Sequence, residues 1–293
     1  MEGRFTNRWL PYLLVLPSVA IVVVFLLGPS VQVLYLSLFE VASFGGRSNF
    51  VGLGNFRELL ASDEYLHSLQ VSLLFAAGAV VSGMAVSLGI AVLANRRIPG
   101  IALYRTALLW PYALSPAVAG TVWGMLFDPS TGFMTFLIRL TTGLTTNWNM
   151  NGTYALALVI AAAVWKMLGF NIIFFLAGLQ GVPGELLEAA QVDGATARQS
   201  FWRITFPLLS PTTFFLLVMN SLYGFFEVFG LIDVMTLGGP GRATDLLVYK
   251  LYRDGFVSIR WGFASAQSIV LFVMVGLLTL VQFRYAGRRV FYS

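Results

Sequence analysis

The sequence predicts an all-α integral membrane protein with six transmembrane helices. Of its 293 residues 58% are hydrophobic and 11% charged, where a soluble domain carries about 25% charged residues. Several runs of 20 or more mostly apolar residues follow one another, enough for ~20 residues at 1.5 Å each to cross a ~30 Å hydrocarbon core. No ~10-residue stretch of strict alternation suggests a β-barrel.

The first span is read from Leu10 to Leu38, after Arg4 and Arg8. Its apolar run is too long for a signal peptide's core and no small-residue cleavage site follows, so it reads as a retained span. An external loop with Gly45-Gly46 leads to the second span, Leu69–Ala94. The third, Leu103–Phe127, contains Pro111 and Pro116, which are expected to break or kink it. Asp128-Pro129 is a turn signal. The fourth span, Tyr154–Gln180, holds Lys166 about 12 residues in, or ~18 Å along a helix.

A polar stretch runs from Glu185 to Pro207 and must lie outside the bilayer. Pro183-Gly184 can start a helix with Glu185 and Glu188 in its first turn, where negative charge suits the helix dipole. Leu186, Leu187, Ala189 and Ala190 give it an apolar, small-residue surface. Asp193-Gly194 reads as a break. Thr196 and Gln199 fit a capping box for a second helix carrying Phe201, Trp202 and Ile204, and Pro207 marks re-entry into the membrane. Two readings are open: a loop another protein approaches closely, or an amphipathic loop lying on lipid.

The fifth span, Leu208–Gly230, carries Asn220, Tyr223 and Glu227. Gly238-Gly239-Pro240 then forms a tight turn, and a short amphipathic helix is expected from about Thr244 to Asp254, ending at Gly255. The sixth span is Phe263–Phe283.

Basic residues orient the bundle. Arg4, Arg8, Arg96, Arg97, Arg105, Arg198, Arg203, Arg284, Arg288 and Arg289 fall on one side. Arg47, Arg57, Arg139, Arg242, Lys250, Arg253 and Arg260 fall on the other. The side with ten is read as cytoplasmic, with both termini inside. The net charge of +5 is therefore a matter of topology, and nucleic acid is not an expected partner.

Chemistry is narrowly bounded. With no cysteine and a single histidine, His67, neither thiolate nor histidine-cluster metal sites are available. His67 reads as a solvated residue near a helix start. The two lysines, Lys166 and Lys250, follow Trp165 and Tyr249, so neither lies in a phosphate-binding loop of the G-x-x-x-x-G-K-[ST] type. Energy must come from another chain or an ion gradient. A self-contained ion-coupled carrier would need midplane carboxylates, and Glu227 is the one carboxylate within a span and is not central. No catalytic constellation is found, so the chain is not expected to be an enzyme.

The spaced pattern Glu188-Ala189-Ala190, Gly194, Ile204-Thr205-Phe206-Pro207 resembles the cytoplasmic docking loop of binding-protein-dependent ABC importer permeases, with Phe206 where leucine is usual. Further stretches extend the likeness: Arg8-Trp9-Leu10-Pro11-Tyr12, Phe50-Val51-Gly52-Leu53, Pro111-Tyr112-Ala113, Trp165-Lys166, Gly238-Gly239-Pro240, Ala266-Gln267-Ser268 and Gln282-Phe283-Arg284-Tyr285. Together they look like the maltose-type sugar permease group, nearest the A-type permease subunits of glycerol-3-phosphate importers.

The resemblance implies a type I ABC importer permease fold in a prokaryotic inner membrane. It implies a first helix and external loop over 1–68, a five-helix core over 69–284 with the docking loop at 181–207, and a cytoplasmic tail over 285–293. Glu185, Glu188, Ala189, Ala190, Asp193, Gly194, Ile204 and Pro207 would carry the docking contact. The implied partners are a second homologous permease, two copies of an ABC ATPase holding ATP and Mg, an extracytoplasmic solute-binding protein and membrane lipid. The chain itself would hold no cofactor. The implied cargo is glycerol-3-phosphate or glycerophosphodiesters, with a neutral sugar or oligosaccharide as the alternative.

Candidate pathway residues are Lys166, Asn171, Asn220, Tyr223 and Glu227. A cation at midplane depth costs about 2.5–3.5 kcal/mol on insertion scales and needs an interior partner. Lys166 reads as a phosphate attractor or as part of a structural ion pair or packing contact. Asn171, Asn220 and Tyr223 read as pathway lining or interhelical bonds. Glu227 reads as a partner for an external cation or a gate. Gly238, Gly239 and Pro240 are the candidate contacts of the last external loop, whose Thr244–Asp254 helix reads as a surface for the partner permease or binding protein, or as a helix lying passively on the interface.

Overall fold

A computed structural model describes residues 9–41, 48–95, 101–144 and 147–285. The readings placed on Arg4, Arg8, Gly45-Gly46, Arg47, Arg96, Arg97, Arg288, Arg289 and the 286–293 part of the tail lie outside the described residues, as does the Arg105 side chain.

Described residues form thirteen helices: α1 Leu10–Leu36, α2 Gly54–Ala61, α3 Asp63–Ala94, α4 Ile101–Ala113, α5 Pro116–Leu126, α6 Phe133–Thr142, α7 Gly152–Gln180, α8 Gly184–Val192, α9 Ala197–Leu208, α10 Ser210–Glu227, α11 Phe229–Met235, α12 Leu247–Tyr252 and α13 Trp261–Tyr285. A two-residue antiparallel ladder, β1 Phe39–Glu40 with β2 Asn49–Phe50, follows α1.

Four of these helices, α1, α3, α7 and α13, are long and apolar enough to cross a membrane, and the bent pair α9–α10 adds a fifth. Of the six spans of the sequence reading, the third is broken, as its two prolines led one to expect. The expected third span is two short helices, α4 and α5. Pro111 stays inside α4, whereas Pro116 starts α5 behind Ser115, which is extended and whose hydroxyl caps the amide of Val118. A residue before proline is pushed out of helical geometry, and proline fits a helix's first turn. Only the second proline therefore breaks the span.

Proline also explains two widened helical segments. Val23–Leu27 in α1 and Phe201–Thr205 in α9 are π-helical, each ending two residues before a proline, Pro29 or Pro207. A proline cannot donate to the carbonyl four residues earlier, and the preceding amide reaches five residues back instead: Gly28 to Val23, Phe206 to Phe201. The bend that follows this loop comes at Leu209, two residues after Pro207, where the sequence reading puts re-entry into the membrane. There α9 and α10 meet at 65°, and Pro211 opens α10.

The chain packs as two compact units. One unites the described residues up to Ser62 with Leu251–Phe272. In it the Asn55 side chain donates to the carbonyls of Ser37 (2.8 Å) and Phe39 (3.0 Å), and Arg260 pairs with Glu58 at 2.6 Å. The other comprises Asp63–Lys250 and the residues from Val273 on. Here α3 runs against α7, α4 crosses α7, and α5 packs on α11. One buried cluster gathers Phe75, Val159, Ala162, Leu231 and Ile232, and a second gathers Ala91, Ile172, Phe175, Leu209 and Leu216. Leu209, the bend residue, is fully buried, so the bend is held by packing.

The helix expected over Thr244–Asp254 is shorter. It spans Leu247–Tyr252 and passes into a π turn, Arg253–Val257, that runs through Gly255. Thr244 is used instead to close the preceding turn, as described below.

Candidate functional site

The polar loop is a helix–turn–helix. Helix α8 begins behind Pro183 with Glu185 in its first turn, while Glu188 lies one turn further along. The start at Gly184 moves Glu188 out of the dipole's range. The helix ends in a glycine cap. Gly194 has φ +77, its amide bonds Gln191, and the Ala195 amide reaches back to Ala190 at 2.8 Å. These two bonds make a Schellman closure, which needs a left-handed residue at this point. Thr196 and Gln199 then form both halves of a capping box: the Gln199 amide donates to the Thr196 hydroxyl and the Thr196 amide to the Gln199 side chain at 2.8 Å.

Burial gives the loop two faces. Ala190 and Thr205 are buried, and Leu187, Ile204 and Pro207 are half-buried. Glu185, Leu186, Glu188, Ala189, Asp193 and Gly194 are exposed. So is Val192, at 88%, an apolar side chain presented beside the carboxylates that the sequence reading passed over. Its signal was its place, directly before the Asp193-Gly194 break. The outer face is a short apolar ridge bordered by carboxylates, suited to a groove on another protein.

The second constellation lies inside the bundle. Lys166 is only 5% exposed, and its Nζ sits 5.5 Å from the ring centroids of both Tyr112 on α4 and Tyr223 on α10. A desolvated cation over one aromatic face gains about 2 kcal/mol, so two faces offset an insertion cost of about 2.5–3.5 kcal/mol. Glu227, exposed at the end of α10, acts on the ammonium through space without an ion pair. The partners the lysine needed are thus rings. Tyr112, from a distant helix, gave no signal of this in the sequence.

Asn171 and Asn220 face each other in a closed pair. Each amide donates to the other's oxygen, at 3.0 and 2.7 Å, and Asn220 also donates to the Leu216 carbonyl at 2.8 Å. Both are buried. A single interhelical hydrogen bond is worth about 0.6 kcal/mol in a membrane, whereas a buried amide left unpaired costs about 1–3 kcal/mol. Asn220→Leu is therefore expected to lower stability by about 1–3 kcal/mol. The Asn171→Leu/Asn220→Leu double variant should lose less than the two singles combined. Thermal denaturation of the purified variants in detergent checks both.

Further along the chain, Gly238-Gly239-Pro240 contains a cis peptide before Pro240 and folds back on itself. The buried Thr244 hydroxyl donates to the Gly239 carbonyl at 2.7 Å and contacts the Thr236 hydroxyl at 2.7 Å. This segment is pinned to the start of α3. Arg242 and Lys250 both reach Glu64, at 2.5 and 3.4 Å, and the Leu247 amide donates to the Ser72 hydroxyl. The exposed His67 lies 3.2 Å from the Arg242 carbonyl. Glu64, rather than Glu227, is the carboxylate these loop cations use. In the turn after α5, four donors from Ser130 and Thr131 converge on Asp128, the Ser130 hydroxyl foremost, and hold its carboxyl pKa below the usual carboxylate range, at about 2.

Residues 116–292 match the family described as binding-protein-dependent transport system inner membrane component. The chain belongs to this family. It is 46% identical to the sn-glycerol-3-phosphate transport system permease protein UgpA of Agrobacterium fabrum, over 99% of this chain and 98% of that one. It is 44% identical to the protein of the same description from Yersinia pestis, with the same coverage. Its fold matches a bacterial ABC transporter involved in import of the acidic polysaccharide alginate: TM-score 0.83, 23% identity, 96% of each chain. A second structure of a bacterial alginate ABC transporter, in complex with an alginate pentasaccharide-bound periplasmic protein, matches with TM-score 0.84 and 22% identity over 96% of this chain and 94% of that one. The permease thus has the ABC importer permease fold expected of it. Its three constellations lie apart along the chain: the loop at α8–α9, the Lys166 and asparagine groups between helices, and the turn before α12.

Proposed function

We propose that this permease is one half of the translocation pathway of an ATP-driven importer of glycerol-3-phosphate or glycerophosphodiesters. The observation that carries the reading is 43–46% identity, over nearly all of the chain, to proteins described as sn-glycerol-3-phosphate permeases. A second homologous permease forms the other half. Two ABC ATPase subunits bind ATP and Mg, and a solute-binding protein delivers cargo from outside. The chain sits in the inner membrane with α8–α9 and both termini in the cytoplasm.

In this reading the exposed ridge Glu185, Leu186, Glu188, Ala189 and Val192 docks on the ATPase. The Schellman closure at Gly194 and the capping box at Thr196 make the loop stiff, so ATPase motion passes through the bend at Leu209 into α10. Helix α10 carries Tyr223 and Asn220, which contact Lys166 and Asn171 on α7, so the same motion reaches the bundle's polar interior. The pinned turn Gly238-Gly239-Pro240 meets an external partner.

The test of the cargo is competition for uptake by the assembled complex. Labelled glycerol-3-phosphate should be displaced by unlabelled glycerol-3-phosphate or glycerophosphocholine and unaffected by maltose. Displacement by maltose alone would refute the substrate class.

A further inference from the structure

We propose that an anionic phospholipid of the cytoplasmic leaflet binds a specific site that joins α3 to the docking loop, resting on the cytoplasmic placement of that loop given above. Two adjoining cavities make the site. One, about 550 Å³, is an almost wholly apolar groove between α3, α7 and α9, with walls that include Leu88, Val92, Phe175, Trp202 and Phe206. The other, about 640 Å³, lies under the docking loop and is lined in part by Asn95, Gln191, Arg198, Ser200 and Thr205. Val92 and Phe201 line both, so the apolar groove and the more polar cavity share a wall.

The chemistry of the pair is that of an amphiphile. The groove suits an acyl chain: Thr213, whose buried hydroxyl has no partner, is the one polar side chain among its lining residues. In the polar cavity, Arg198 is exposed and makes no ion pair among the described residues. Ser200 is only 9% exposed, yet its hydroxyl has no hydrogen-bond partner. A buried hydroxyl left unpaired is costly, and an arginine fork with a hydroxyl donor matches a phosphate oxygen. No Asp or Glu lines either cavity. Trp202, 55% exposed beside the groove, fits the headgroup level of a membrane. Charge complementarity and the fused apolar and cationic halves select an anionic phospholipid over a zwitterionic one or a protein segment.

Native mass spectrometry of the full-length permease, purified with whatever subunits accompany it and exchanged into phosphatidylglycerol or phosphatidylcholine nanodiscs, tests this. Wild type should retain a single phosphatidylglycerol and little phosphatidylcholine. Arg198→Gln should lower retention about tenfold, the effect of one lost charge-assisted bond, and Arg198→Lys should restore part of it. Gly89→Phe, at a groove glycine with open space around it, should block the acyl chain and act alike. Equal retention of both lipids, or retention unchanged in Arg198→Gln and Gly89→Phe, would overturn the proposal, as would occupation of the groove by a second protein chain. Lipid retention is read on the permease itself, so absence of a co-purifying ATPase would count against the function proposed above and leave this result interpretable.

Discussion

Gly194→Val is expected to lower uptake by about tenfold or more while leaving the membrane bundle assembled. At φ +77 a β-branched residue costs about 1–3 kcal/mol of backbone strain. A Cβ here meets nothing within 4 Å, so the penalty is one of conformation alone and packing is untouched. The strain is relieved by unwinding the closure that ties the Ala195 amide to Ala190 and the Gly194 amide to Gln191. Helix α8 then loses its fixed angle to α9, and the ridge ending in Val192 is no longer held out rigidly. A graded series follows, since asparagine tolerates left-handed backbone better than alanine, and alanine better than valine. Uptake and ATPase rates of the reconstituted complex should separate in that order. Wild-type uptake by the valine variant would remove the glycine cap from the coupling mechanism.

The second large effect is structural. Gly169 sits where α7 crosses α4, and a Cβ built there would lie 3.0 Å from both the Leu108 carbonyl oxygen and the Leu109 Cα. These are backbone atoms, which can give way only by moving the helix. Gly169→Ala is expected to cost about 1–3 kcal/mol, in the range of core overpacking, and Gly169→Leu more. Because Tyr112 rides on α4, prising the helices apart also withdraws one ring from Lys166. A drop in the thermal midpoint, with monodisperse protein recovered only for the alanine variant, is the expected outcome. An unchanged midpoint in Gly169→Leu would show that the crossing is looser than the structure has it.

What the sequence made legible was local. The Asp193-Gly194 break and the Thr196–Gln199 capping box are set by residues within a turn of each other, and both form where the spacing puts them. The long spans α1, α3, α7 and α13 are equally local, each a single apolar run. The break in the third span was expected from its two prolines, but not which of them makes it, because hydropathy is blind to that. Pro116 acts through the extended Ser115 before it, while Pro111 is absorbed. Pro207 was read as a boundary between helices, but it widens α9 into a π segment, and the bend falls at the buried Leu209. Long-range partners were out of reach. Nothing near Lys166 in the chain announces Tyr112, and Glu64 lies 178 residues before Arg242. Asn171 and Asn220 could be named as polar residues within spans, but their reciprocal bonding depends on how α7 and α10 pack.

The central claim is that force enters this permease from outside it, through α8–α9. Uptake of labelled glycerol-3-phosphate into proteoliposomes tests it most directly, comparing the assembled complex with ATP at the cytoplasmic face against the permease alone under an ion gradient. The account predicts ATP-dependent accumulation by the complex and none by the permease alone. Accumulation by the permease alone under a gradient, with ATP making no difference to the complex, would contradict it.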